Sequence, residues 1–394
     1  MSRGPRRIGQ KRGDNARLSL CMIVKNEAET LEKCLRTARP HVDEIVIVDT
    51  GSTDGSLEIA RRYADVVDEI TWPDSFSIAR NHSFDLADGD FILVLDGDEY
   101  IESESEWQRL RKCLRDTDVV ALQFSIKNLM PDDQIMAADR MWQTRVIKNH
   151  PRIRYTGRVH NQIDDAVKEY QVATGTRAIR VNCEVVHTGY ALDPAQMKSK
   201  YAPRLDLLLY EYENPRSNVL RAYYGYQLGV VYYVMQMYEE AADVFNAIDY
   251  SMLTPQNAFY THLLAAQAAL KLKNGPMALI HCNGMLSLDQ SEPVAFYTTG
   301  LALLMTRQAG DGMLMLLEAY NINEEKIGTI RFILNPAQML FTLARICGQI
   351  GLKDHQRIFS ALYEKGTFDT QVVKSLIGSL KTNIVLAEFE VAHA

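Results

Sequence analysis

No stretch of this sequence approaches the roughly 18–20 consecutive apolar residues that a membrane-spanning helix requires, and no apolar core follows the basic N-terminal residues. Neither a span nor a secretory leader is expected, and the expected location is the cytoplasm. Cysteine is sparse: Cys21, Cys34, Cys113, Cys183, Cys282 and Cys347 are scattered, with no C-x-x-C pair. That spacing argues against a structural zinc site or a disulfide framework and fits a reducing compartment. Two phosphate-binding signatures are missing as well, the G-x-G-x-x-G turn and the G-x-x-x-x-G-K-[ST] loop, which excludes the common dinucleotide and P-loop folds. A basic excess is also lacking. With a net charge of −7, this is not a chain that coats nucleic acid over its whole surface.

What is present is an ordinary globular composition, 47% hydrophobic and 24% charged, in 394 residues. That length is too great for one core and suggests two or three domains. A basic tail, residues 1–16, contains "RGPRRIGQKR" at 3–12 and leaves contact with phosphates open. From 17 to about 130, short apolar runs ("LSLCMIV" 18–24, "EIVIVDT" 44–50, "FILVL" 91–95, "VVALQFSI" 119–126) alternate with helical patterns at 27–38, 54–64, 76–87 and 103–115. Such alternation predicts an α/β domain, a mostly parallel sheet with helices on both faces, over 17–193. Between 140 and 190 the pattern turns to short β-like pieces, read as a β-rich extension on the acceptor side. Beyond 194 amphipathic helices take over, and segments starting near 221, 257, 292 and 336 each read as a helical pair. Period and small residues such as Gly225, Gly229 and Ala241 suit tetratricopeptide-like repeats over 194–394. The tyrosine stripe at 223–233 is read as helix packing.

In a parallel sheet ligands bind beyond the carboxyl ends of the strands. Three polar loops fall there: "KNE" (25–27), "DTGSTDGS" (49–56) and "DGDE" (96–99). Residues two apart on an extended segment project together, so Asp96 and Asp98 are expected to converge. Two converging carboxylates repel, and a hard divalent ion relieves the repulsion, taking one or two carboxylates and filling its shell with phosphate oxygens and water. A solvated acidic turn is the competing reading of any lone D-x-D.

Together "IVKNEAETLEKCL", "EIVIVDTGSTDGS", "FSIARN" and "ILVLDGDEY" resemble a family-two glycosyltransferase of the GT-A fold. The subgroup resembled joins that domain to tetratricopeptide-like repeats, as bacterial peptide S-glycosyltransferases do. The resemblance implies a nucleotide-sugar donor, with UDP as the expected nucleotide, and Mn²⁺ or Mg²⁺ as cofactor. It places Glu27 and Asp49 on ribose and base, Arg80 on the diphosphate, and Asp96, Asp98 and His187 at the metal. Lys25 and Asp54 complete the candidate donor contacts with Glu27, Asp49, Arg80 and Asp96. The sequence departs from the family at Asn161, where related enzymes carry a glutamate after "VH". An amide is no base at neutral pH, so the base is left among Glu99, His160, Asp164 and Asp165.

The expected reaction is metal-dependent transfer of a sugar to a polymer acceptor, a peptide or protein side chain or a glycan, with inversion. The repeats are expected to bind that acceptor or to mediate dimerisation. Transfer to a hydroxylated base of DNA, nucleotidyl transfer, and a non-catalytic repeat scaffold with a degenerate transferase domain are the rival readings.

Overall fold

A computed structural model describes residues 16–130, 136–158, 162–189, 194–326, 331–365, 375–376 and 378–380. The apolar runs form strands β1 (Leu18–Val24), β2 (Glu44–Asp49), β3 (Val66–Glu69), β4 (Phe91–Val94), β5 (Glu99–Tyr100), β6 (Val119–Leu129), β7 (Met136–Lys148), β8 (Arg177–His187) and β9 (Phe332–Leu334). The first helices are α1 (Leu31–Ala38), α2 (Ser56–Tyr63), α3 (Phe76–Leu86), α4 (Glu104–Cys113) and α5 (Asp164–Thr174). Then come α6 (Pro194–Glu213), α7 (Asn218–Val234), α8 (Tyr238–Asn246), α9 (Pro255–Lys271), α10 (Gly275–Leu288), α11 (Pro293–Met305), α12 (Ala309–Lys326), α13 (Pro336–Gln349) and α14 (Lys353–Lys365). Two compact units result: residues 1–128 with 141–189, and residues 129–140 with 190–394.

In the first unit the strand order is β3-β2-β1-β4-β7-β6-β8-β5. Strands β3, β2, β1 and β4 are parallel, whereas β7 runs antiparallel to β4 and β5 antiparallel to β8. The sheet is therefore mixed rather than mostly parallel beyond β4. Alternation along β2 explains the layers. Ile45 and Ile47 face a core shared with Leu31 and Leu35 of α1 and Trp107 and Leu110 of α4. Val46 faces the other core, with Phe84 of α3 and Val167 and Tyr170 of α5. The register, Val24 beside Asp49 and Cys21 beside Val94, brings the carboxyl ends of β1, β2 and β4 to one edge. One expected β-like piece is corrected. The described residues of 154–163 make the bridge Thr156 to Gln162 and no strand, and an unforeseen helix, α5, follows.

The strands are pinned at their other ends by carboxylates. Asp43 accepts the Leu18 amide at 2.8 Å and the Arg111 guanidinium at 2.9 Å. Burial opposes ionisation of Asp43, but these bonds outweigh it and hold its carboxyl below the usual range. A depressed carboxyl stabilises the fold above its unfolded value of about 3.9, and that stability is lost as pH falls through the folded value. Thermal melts of wild type and Asp43→Asn between pH 7 and pH 3 are expected to converge at the acid end, where the wild-type advantage disappears.

In the second unit the expected helical pairs are α7/α8, α9/α10, α11/α12 and α13/α14. Gly229 of α7 lies where a β-carbon would come within 2.2 Å of the buried Phe245 ring. Gly229→Ala is therefore expected to cost about 1–3 kcal/mol, read from urea unfolding. Residues 129–140, inside the span expected for the first domain, pack in this unit. Their strand portion, at the start of β7, pairs with β9 (Met136 with Leu334, Asp139 with Phe332). The Glu292 carboxylate accepts the Arg331 and Phe332 amides at 2.8 and 3.0 Å, and Asn323 bonds both the amide and the carbonyl of Leu334. Phe332 stacks on Phe259 and Tyr260 of α9, with ring centroids 5.5 and 5.9 Å apart. No helix among the described residues is long and apolar enough to cross a membrane.

Candidate active site

The loop after β1 and the loop after β2 are clasped together. Asn26, held at φ +55°, accepts the Thr53 amide at 2.8 Å, and its own amide donates to Ser52 Oγ at 3.1 Å. Asn tolerates this left-handed backbone better than most residues. Glu27 donates its amide to Ser56 Oγ at 2.7 Å. Asp54 accepts from Ser56 N and Ala28 N, and although burial opposes it these bonds keep its carboxyl below the usual range. Its Oδ2 thus joins the two loops, while its Oδ1 bonds within its own. Lys25 stands exposed beside them.

Asp49 is buried at the end of β2. Its Oδ1 accepts the Gly51 and Ser52 amides at 2.9 and 2.8 Å, whereas its Oδ2 is buried with no partner among the described residues. A capping role accounts for one oxygen. The other is an acceptor that desolvation makes costly unless a ligand supplies a donor.

β4 ends at Val94, and residues 96–99 form a turn closed at both ends by Glu99. The Glu99 amide donates to the Asp96 carbonyl at 3.1 Å, and Glu99 Oε2 accepts the Asp96 amide at 3.0 Å. Gly97 is where Glu27 crosses, since a β-carbon there would lie 3.0 Å from the Glu27 side chain. The two aspartates diverge. Asp96 Oδ1 meets Arg80 Nη2 at 2.5 Å, and Asp98 Oδ2 meets His187 Nε2 at 3.3 Å. Burial opposes the Asp96 charge, but Arg80 and then Arg145 outweigh it and hold its carboxyl well below the usual range. Burial likewise opposes His187 protonation, yet the bond to Asp98 holds the imidazole above its ordinary value.

Arg80, on α3, is nearly buried, and its Nε and Nη1 have no partner among the described residues. Asp96 keeps it ionised against the effect of burial. A guanidinium with one face held and two nitrogens free of protein partners is a receptor for an anion.

Three participants went unseen in the sequence. Asn128 Oδ1 pairs with His187 Nδ1 at 2.7 Å, which leaves Nε2 to face Asp98. Buried Arg145 is ion-paired to Glu99, and Tyr155 packs with its ring 5.7 Å from the Arg80 guanidinium. The signal for Arg145 was an arginine inside the apolar strand pattern "RVI". Glu99, a candidate base, is only 1% exposed and has both oxygens engaged, so it is built to hold the turn rather than to reach an acceptor. Burial pushes its carboxyl up, against the pull of Arg145. Asp164 is exposed at the start of α5, with Oδ1 accepting from Thr144 Oγ1 at 2.6 Å. Asp165 is also exposed. His160 and Asn161 lie outside the described residues.

Among the described residues no three His, Cys, Asp or Glu side chains are arranged to hold a metal ion. Asp96 is turned to Arg80 and does not join Asp98 and His187. A buried carboxylate beside an imidazole whose other nitrogen is oriented by an amide nevertheless fits a divalent ion as a pair of protein ligands.

Residues 19–172 match the family model described as Glycosyl transferase family 2. A TPR repeat-containing protein of Synechococcus elongatus is 36% identical over 191 residues, 46% of this chain and 45% of that protein. The prophage-derived glycosyltransferase SunS of Bacillus subtilis is 24% identical over 216 residues, 53% of this chain and 49% of its own. The chain thus spans about half the length of these relatives. Among solved structures, glucosyl-3-phosphoglycerate synthase of Mycobacterium tuberculosis, in complex with Mn²⁺, UDP and its product, is 14% identical with a TM-score of 0.37, covering 50% of this chain and 79% of that one.

Proposed function

We propose that this chain, which carries a glycosyl transferase family 2 domain at residues 19–172, transfers a sugar from a nucleotide-sugar donor, with UDP as the nucleotide, to a polymer acceptor. The observation that carries the reading is Arg80: a nearly buried cation, anchored by Asp96, with two nitrogens lacking a protein partner at the edge where three strand ends meet.

In this reading Asp49 Oδ2 accepts an N–H of the base, Glu27 meets the ribose, and Arg80 takes the diphosphate. Asp98 and His187 would hold Mn²⁺ or Mg²⁺, and the ion would supply positive charge to the diphosphate. Asp164, whose Oδ1 accepts from Thr144 Oγ1, is assigned the role of base in this reading. The acceptor nucleophile bonds to the anomeric carbon from the face opposite the leaving group, and the carbon–oxygen bond to the diphosphate breaks with its electron pair. The acceptor proton passes to Asp164, and the configuration inverts.

The repeats are proposed to carry the acceptor. Part of their aromatic surface, Phe259 and Tyr260, is already covered by Phe332 of the same chain, so an acceptor uses other faces. A cytoplasmic location is proposed with this function.

The test is a panel of nucleotide sugars with Mn²⁺, Mg²⁺ or chelator, scored by mass against peptide, glycan and hydroxymethylated-DNA acceptors. Metal-stimulated donor turnover is expected. Failure to bind any nucleotide sugar would overturn the reading, and glucosylated DNA would move the acceptor to the nucleic-acid class.

A further inference from the structure

Outside the contacts already given a role, the most unusual group in the first unit is the buried ion pair between Arg145 of β7 and Glu99 of β5, side chains 7% and 1% exposed. A buried ion pair is poor evidence of stability, because desolvating two charges offsets most of their attraction and an apolar pair of similar volume serves as well. Its position is more informative. Glu99 is bonded to Arg145 through Oε1 and to the Asp96 amide through Oε2, while its own amide closes the turn onto the Asp96 carbonyl. The pair therefore stands directly behind the turn that presents Asp96 and Asp98.

We propose that Arg145 is a positioning residue: through Glu99 it fixes the Asp96–Asp98 turn in the form that receives the donor. This rests on the nucleotide-sugar reading of the site. Without Arg145 the Glu99 carboxylate loses the partner that fixes its direction, and its bond to the Asp96 amide is no longer held in place. The turn is left with its backbone closure alone, and both aspartates lose a fixed direction. Asp98 keeps two bonds that do not depend on the pair, from the Thr188 amide and hydroxyl to its carbonyl, each 3.0 Å. The effect expected is therefore loosened binding rather than collapse of the strand.

Two variants separate positioning from mere support, each measured by thermal melting and by calorimetric titration with UDP in the presence of Mn²⁺. The first is the apolar exchange Arg145→Met with Glu99→Leu, which removes both charges together. It is expected to melt within a few degrees of wild type yet bind UDP at least 10-fold more weakly. The second is Arg145→Lys, which keeps the charge without the planar fork and is expected to weaken UDP by 3- to 10-fold with the fold intact. Wild-type affinity in the folded variants would overturn the proposal and leave the pair a support. If the double variant does not fold, the lysine variant decides by the same criterion. The nucleotide reading fails separately: it falls if wild type itself binds no UDP with Mn²⁺.

Discussion

Asp98→Ala is expected to reduce donor turnover on the order of 10³-fold while leaving the protein folded. The side chain of Asp98 makes the contact to His187, but its backbone carbonyl makes the bonds to Thr188, and alanine retains those. The loss is therefore confined to the carboxylate. Removing it takes away one of the two side chains proposed to hold the divalent ion. The ion is then left with the imidazole of His187 as its one proposed side-chain ligand, which weakens its hold. Circular dichroism should show an unchanged fold, Mn²⁺ titration a loss of binding, and donor hydrolysis the fall in rate. Near-normal turnover by Asp98→Ala would remove Asp98 from the site and with it the D-x-D interpretation. Asp98→Asn keeps an oxygen ligand without the charge and is expected to fall between the two.

The part of this site legible in sequence is the part set by strand ends. Asp49 and the 96–99 acids follow unbroken apolar runs, and a parallel sheet puts such positions at one edge whatever the rest of the chain does. The helical pairs were legible because their period is carried by many residues. What the sequence hid has two causes. Alternation of side chains holds only while the backbone stays extended, and β4 ends at Val94. Asp96 and Asp98 therefore lie in a turn, where the two-residue spacing no longer sends them the same way, and one reaches Arg80 while the other reaches His187. The second cause is distance along the chain. Glu99 and Arg145 are 46 residues apart, Asn128 and His187 are 59 apart, and neither pair has a local pattern to announce it. β9 escaped notice for a simpler reason: three residues between helices carry no periodicity, and their edge is closed by side chains of Glu292 and Asn323 from elsewhere in the unit. The glutamate that reads as a spare base, Glu99, is the residue whose role the structure changes most.

Arg80→Met should lower kcat/KM by about 10²–10³, a transition-state effect of roughly 3–4 kcal/mol. The physical reason lies in where charge grows. As the sugar leaves, negative charge accumulates on the diphosphate, and Arg80 supplies a fixed cation in a site where burial weakens screening. Because Nη2 is held by Asp96, the remaining nitrogens are oriented before the donor arrives and reorganise little during reaction. Methionine fills much of the same volume, and Arg145 remains as a cation acting on the freed Asp96 carboxylate, so folding should survive. Arg80→Lys distinguishes charge from geometry. A lysine has one nitrogen, and it reaches either Asp96 or the phosphate but not both, so an intermediate loss of about 10-fold is expected. The split between parameters carries the conclusion: a fall mainly in kcat places Arg80 on the developing charge, whereas a rise in KM alone places it on the bound donor. If Arg80→Met turns over at the wild-type rate, the guanidinium is only a strut for Asp96, and the anion must be met by another group.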